Sequence, residues 1–178
     1  MRSVFLTGFM GTGKTAVGAA LARRLGRRFV DLDAEIERSA GLTIAEVFAR
    51  FGEPDFRRRE RQALSRVAGL EGAIVATGGG TAIDRGNRAS MRAAGRIVCL
   101  TADVETILAR VGGGEDRPLL ASAPDRAMKV RELLADRAEA YADADLTIDT
   151  SGKTVEAVSE EITDRLRSLD DASSPPGR

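Results

Sequence analysis

The octapeptide GFMGTGKT, from Gly8 to Thr15, fits the pattern G-x-x-x-x-G-K-S/T. It follows a β-type run, SVFLTG, and opens a helix-type one, KTAVGAALARRLG, which is the setting that gives such a loop its meaning. Glycines let successive backbone N–H groups turn toward one point, and the following helix brings its positive end there. The chemistry predicted is the cradling of a nucleotide's phosphates by Gly11, Thr12, Gly13, Lys14, Thr15 and Ala16. Lys14 can reach the outer phosphates, and the Thr15 hydroxyl suits Mg2+. The alternative, a glycine-rich turn with an exposed lysine, sits poorly with all four defining positions, Gly8, Gly13, Lys14 and Thr15, filled in this setting.

A second stretch, VATGGGT from Val75 to Thr81, ends a β-branched run in three glycines, Gly78, Gly79 and Gly80. Nucleotide-hydrolysing folds often carry an acidic metal partner at such a place. A glycine inside a strand or helix costs roughly 0.5–1 kcal/mol relative to alanine, so three together predict an approach closer than a β-carbon allows. Acids occur instead in VDLD, where Asp31 and Asp33 share one side if the chain stays extended. At the carboxyl edge of a parallel sheet that side faces the ligand crevice. One carboxylate would hold a metal's water shell and the other a substrate hydroxyl; alternatively, Asp33 caps the helix that follows. Without a single histidine, proton transfer must use a carboxylate or the substrate itself.

These groups need a frame, and the pattern supplies one. SVFLTG, RRFVDLD, AIVATGGG, RIVCLTA and LTIDT read as strands separated by helices, which predicts a three-layer α/β domain with a parallel sheet covered on both faces. Thr43 and Glu46 have capping-box spacing at the start of TIAEVFARFG, which closes at Gly52, and Pro54 suits the first turn of the next helix. Asp103 is a natural N-cap for VETILARV. DRAMKVRELLADRAEAYADA reads as one long helix, and GGGEDRPLLASAP as a mobile surface loop. The predicted domain covers residues 1–168, with a disordered polar tail over 169–178.

Bulk numbers narrow the class. At 178 residues, 43% apolar and 30% charged, the chain suits one globular domain. Basic and acidic residues balance at 27 each, so no global field argues for nucleic acid. The only cysteine, Cys99, lies in an apolar run and reads as a small buried hydrophobe. No apolar stretch approaches the ~18–20 residues a bilayer requires, and no signal-peptide cleavage pattern follows the first residues. The expectation is a cytoplasmic monomer with neither membrane nor nucleic-acid partners.

GFMGTGKT, DLD, FGEPDFRRRE, VATGGG, RPLL and RAEAY stand in the order and near the spacing found in shikimate kinases, and over residues 3–155 the chain resembles that family. The resemblance implies a P-loop kinase fold of the nucleoside-monophosphate-kinase type, with a five-stranded parallel sheet and a mobile lid over about residues 112–124. It implies ATP- and Mg2+-dependent phosphorylation of the 3-hydroxyl of shikimate, a step of aromatic amino-acid biosynthesis. By position, Asp31 resembles the acid that orients Mg2+ through water. Asp33 resembles the carboxylate that binds the shikimate hydroxyls and takes the proton. Arg57 and Arg137 resemble the arginines that hold the substrate carboxylate, with Glu60 supporting the first, and Gly78, Gly79 and Gly80 the backbone that lines the pocket. Arg117 resembles a lid arginine on the ATP phosphates, and Arg110 one packed on adenine, though Arg110 also reads as an ordinary surface charge. A planar carboxylate suits a guanidinium fork, which gives the arginine assignments independent sense.

Three rivals remain at this level. A P-loop kinase for another small hydroxylated metabolite, such as gluconate, shares the phosphate loop. A GTP-dependent switch would use DTSG at 149–152, but no N-K-x-D guanine signature is present. A silent binding homologue would lack some chemical position, and all are filled.

Overall fold

Val4 and Leu6 turn to one face of the first strand and Phe5 to the other, and all three are buried. A strand apolar on both sides needs a helical layer on each. That is the arrangement in the computed structural model, which describes residues 2–112 and 124–173. Strand β1 (Ser3–Thr7) lies at the centre of a parallel sheet of order β2-β3-β1-β4-β5, with β2 Phe29–Asp31, β3 Ile74–Ala76, β4 Gly95–Thr101 and β5 Leu146–Asp149. On one face, α1 (Lys14–Leu25) and α8 (Val155–Ser173) bury Val17, Leu21, Val158 and Ile162 against Val4, Leu6, Val98 and Leu100. On the other lie α2 (Leu32–Ala40), α3 (Ile44–Ala68), α4 (Arg85–Ala94), α5 (Val104–Val111), α6 (Arg126–Asp136) and α7 (Ala138–Ala142). They cover Phe5, Val75, Ile97 and Cys99, the cysteine buried as expected.

Register fixes where chemistry can happen. Leu6 and Asp31 both pair with Ala76, so β1, β2 and β3 end in one row. The phosphate loop, the acids and the glycine triplet therefore leave the sheet from the same carboxyl edge. They do so where β1 leads to β2 on one side of the sheet and β3 leads across to β4 on the other, the place an open α/β sheet leaves for a ligand.

Several expectations need correction. The second strand stops at Asp31 and does not run on to Asp33, because the Asp31 side chain accepts from the N–H groups of Asp33 and Ala34 and starts α2. Asp31, not Asp33, is the cap. The long helix expected through Ala144 breaks at Arg137, whose backbone (φ −104°, ψ 0°) separates α6 from α7. The tail expected to be disordered from residue 169 is still helical through Ser173, since Leu169 packs on the core and Asp170 accepts from Arg96 at 3.4 Å. The capping box at Thr43 and Glu46 forms, and α3 is kinked at Gly52, where the sequence ends one helix and begins another.

Gly8 makes the turn from β1 into the loop with φ +124°, and a β-carbon there would stand 2.1 Å from the Leu100 carbonyl oxygen on β4. Backbone on both sides leaves nothing to give way. Gly8→Ala is expected to cost about 3 kcal/mol, read as a lowered denaturation midpoint; a stability within about 0.5 kcal/mol of the parent would contradict this packing.

Candidate active site

The phosphate loop is closed by its own side chains. Thr12 Oγ1 and Lys14 Nζ both donate to the Phe9 carbonyl, at 2.8 and 2.7 Å, and Lys14 is only 9% exposed. Gly11, Thr12 and Gly13 lead into α1, whose first turn carries Lys14, Thr15 and Ala16 and no acidic residue. The positive helix end is thus kept for an anion. Thr15 Oγ1 donates to Asp31 Oδ2 at 2.8 Å, which sets a hydroxyl and a carboxylate side by side at the mouth of the loop. Hard oxygen donors of this kind suit Mg2+, which keeps several waters and shares its sphere with phosphates.

Asp33 sits in the first turn of α2, and its carboxylate lies over Gly78, where a β-carbon would come within 3.0 Å of Oδ1. The same point is 3.2 Å from Thr81 Oγ1 and 3.3 Å from Glu60 Oε1. Arg57, on α3 beyond the kink, donates Nη1 to Glu60 at 2.9 Å and Nε and Nη2 to Glu53 at 3.2 and 3.1 Å. Its guanidinium also lies 5.2 Å from the Phe56 ring centroid. Burial pulls the Arg57 pKa down, but Glu60 and then Glu53 outweigh it and hold the group above its ordinary value. Glu60 is 1% exposed and accepts from Thr81 Oγ1 at 2.6 Å. A β-carbon on Gly80 would stand 2.8–2.9 Å from the two terminal nitrogens of Arg57, so the triplet is bare because side chains already fill that space.

Arg137 owes its position to the helix break. It is 8% exposed, its guanidinium lies 5.4 Å from the Phe9 ring centroid, and Nη1 donates to the Gly79 carbonyl at 3.4 Å. Tyr141, one turn on, donates to the same carbonyl at 2.6 Å. Burial pushes the Tyr141 phenol up, which keeps it a donor at neutral pH. Gly79 in turn lies against the phosphate loop, since a β-carbon there would be 3.4 Å from Met10 N.

The structure thus brings Asp33, Arg57, Arg137 and all three glycines around one short segment that abuts the phosphate loop. Arg110 does not stand free on its helix: it donates to Thr150 Oγ1 and O at 2.9 Å each and to Gly11 O at 3.4 Å. Arg117 lies outside the described residues, as does the expected lid apart from its ends, Gly112 and Pro124. Sequence reasoning missed Glu53, Thr81 and the hydroxyl of Tyr141. Glu53 stands four residues before Arg57, a spacing that marks ion pairs on a helix and could have found it. Nothing local marked the other two, which meet their partners only in the fold.

A family model described as shikimate kinase matches residues 10–167. A shikimate kinase of Geobacter sulfurreducens is 52% identical over 168 residues, covering 93% of this chain and 91% of that protein. Among solved structures, the shikimate kinase from Acinetobacter baumannii in complex with shikimate superimposes with a TM-score of 0.90 at 36% identity, over 95% of this chain and 94% of that one. A gluconokinase from Sinorhizobium meliloti, at 19% identity and a TM-score of 0.60, shares the fold alone. With the family match running from within the phosphate loop through the arginine-lined glycine triplet, the chain belongs to the shikimate kinase family.

Proposed function

We propose that this chain, by its family an ATP-dependent kinase, transfers the γ-phosphoryl group of ATP to the 3-hydroxyl of shikimate in the crevice between the phosphate loop and Gly78–Gly80. The observation that carries this reading is the placement of two guanidinium groups, Arg57 and Arg137, and one carboxylate, Asp33, along a bare backbone segment that touches the phosphate loop. A small anion with several hydroxyls meets a partner for each feature there. The guanidinium groups take its carboxylate, and Asp33 takes a hydroxyl hydrogen.

Gly11, Thr12, Gly13, Lys14, Thr15 and Ala16 would hold the ATP phosphates, with Arg110 on the nucleotide side. Mg2+ would be held by the Thr15 hydroxyl and, through water, by Asp31, and when bound it neutralises charge on the phosphates. Lys14 stabilises the negative charge that moves onto the departing β-phosphate oxygen as the new oxygen–phosphorus bond forms. Asp33 aligns the hydroxyl and receives its proton late, because a loose transition state needs little early deprotonation. The reading extends to a cytoplasmic monomer that acts as one kinase domain, with the last helix part of it through Ser173; among the described residues no helix is long and apolar enough to cross a membrane.

Gluconate also carries a carboxylate and hydroxyls, so charge alone does not separate it from shikimate. Rigidity does, since an open chain must freeze rotors that a ring has already fixed. ADP release should be measured with ATP, Mg2+ and shikimate, gluconate or a nucleoside monophosphate, with each acceptor omitted as a control. We expect shikimate to exceed the others by at least about 10²-fold in kcat/KM. Gluconate as the better acceptor would sink the reading, and equal use of GTP would sink the ATP assignment.

A further inference from the structure

Just after the glycine triplet the chain makes one 3-10 turn, Thr81–Ile83, and then enters α4. Three consecutive carbonyls of that turn are held by two neighbouring buried side chains of α4. Asn87 Nδ2 donates to Thr81 O at 3.0 Å; Arg88 Nη1 donates to Ala82 O at 2.6 Å and to Ile83 O at 3.0 Å. Asn87 is 3% and Arg88 8% exposed. The other side of the same guanidinium reaches a different element: Arg88 Nε donates to Asp143 Oδ2 at 2.7 Å. Asp143 is the C-cap of α7, the short helix that begins just after Arg137 and carries Tyr141.

One planar fork therefore joins two walls that have no covalent reason to keep step. On one side stand the glycine triplet and Thr81, the latter bonded to Glu60 and through it to Arg57. On the other stand Arg137 and Tyr141, both bonded to the Gly79 carbonyl. We propose that Arg88, assisted by Asn87, is a positioning residue for the acceptor site, fixing the Gly78–Gly80 wall against the Arg137–Tyr141 wall through Asp143. A guanidinium suits the task because its five donors are rigidly arranged, and an ammonium cannot span two carbonyls and a carboxylate at once. The inference rests on the reading of this pocket as the shikimate site, and it assigns no contact between Arg88 and any reactant.

Arg88→Lys and Asp143→Ala test it, with Ser90→Ala, a change at an exposed position on the same helix, as the control. KM for shikimate and for ATP should be measured separately, alongside the melting temperature. We expect both variants to raise the shikimate KM roughly fivefold to thirtyfold while the ATP KM stays within about twofold, and the control to match the parent. Asp143 is partly exposed but also accepts from Arg92 at 2.7 Å. If Arg88→Lys does not fold, the Asp143 variant carries the test beside Arg92→Gln, whose shikimate KM should stay parental; an equal rise in Arg92→Gln would overturn the assignment to Arg88. A rise shared equally by both KM values, or a lowered melting temperature with both KM values parental, would reduce Arg88 to a scaffold residue and overturn the proposal. A parent that releases no ADP with shikimate fails the functional reading itself; a parent that does, with unaltered variants, fails only the positioning role.

Discussion

Replacing Lys14 by alanine is expected to lower kcat about 10²–10³-fold, the usual loss when one preorganised positive donor is taken from a developing negative charge. The fold makes this lysine unusually effective. The residue is 9% exposed and its ammonium is held by the Phe9 carbonyl at 2.7 Å, which limits its reorientation when charge shifts nearby. The start of α1 adds its own partial charge with no acid in the first turn to offset it. Because the role proposed for the ammonium is on the phosphates and not on the acceptor, the shikimate KM should change less than about threefold. Lys14→Arg should not rescue the rate, since the single Phe9 carbonyl holds a compact point charge and a planar fork spreads its charge over a different geometry. Steady-state turnover at saturating substrates decides the matter, and an unaltered kcat in Lys14→Ala would remove the residue from the chemistry.

The phosphate loop was legible because its chemistry is local. Gly8, Gly13, Lys14 and Thr15 must stand at fixed intervals for one backbone turn to meet one phosphate, so spacing alone carries the information. The order of strands and helices was legible for a similar reason, as apolar periodicity on β1 and β4 reports burial on two faces. The acids were found but their geometry was not. Asp31 and Asp33 share a side only in extended chain, and the Asp31 carboxylate ends that chain by accepting two helix N–H groups. Its second oxygen then meets Thr15, a contact across 16 positions that no local pattern contains. Arg137 shows the same limit in another form. Helical periodicity runs unbroken through DRAMKVRELLADRAEAYADA, yet the backbone leaves the helix at Arg137, where the guanidinium meets Phe9 and Gly79 from distant parts of the chain. Tertiary contact overrides propensity there, and it does so at a residue proposed to bind substrate.

Arg57→Ala is expected to lower kcat/KM for shikimate about 10²–10³-fold and to leave the ATP KM nearly unchanged, for two separable reasons. The first is loss of the fork proposed to hold the substrate carboxylate. The second is what remains: Glu60, 1% exposed, keeps only the Thr81 hydroxyl among the two partners named above and becomes an uncompensated negative charge beside an anionic substrate. The same charge destabilises the fold, by about 1–3 kcal/mol, less than for a fully buried pair because the Arg57 side chain is 28% exposed. Adding Glu60→Gln separates the two. A neutral amide still accepts from Thr81 and no longer needs a cation, so the double variant should regain most of the lost stability. Shikimate affinity should recover only in part, since no guanidinium has returned to that wall. Full recovery of kcat/KM in the double variant would show that Arg57 merely neutralises Glu60, and a defect confined to ATP would place it outside the acceptor pocket altogether.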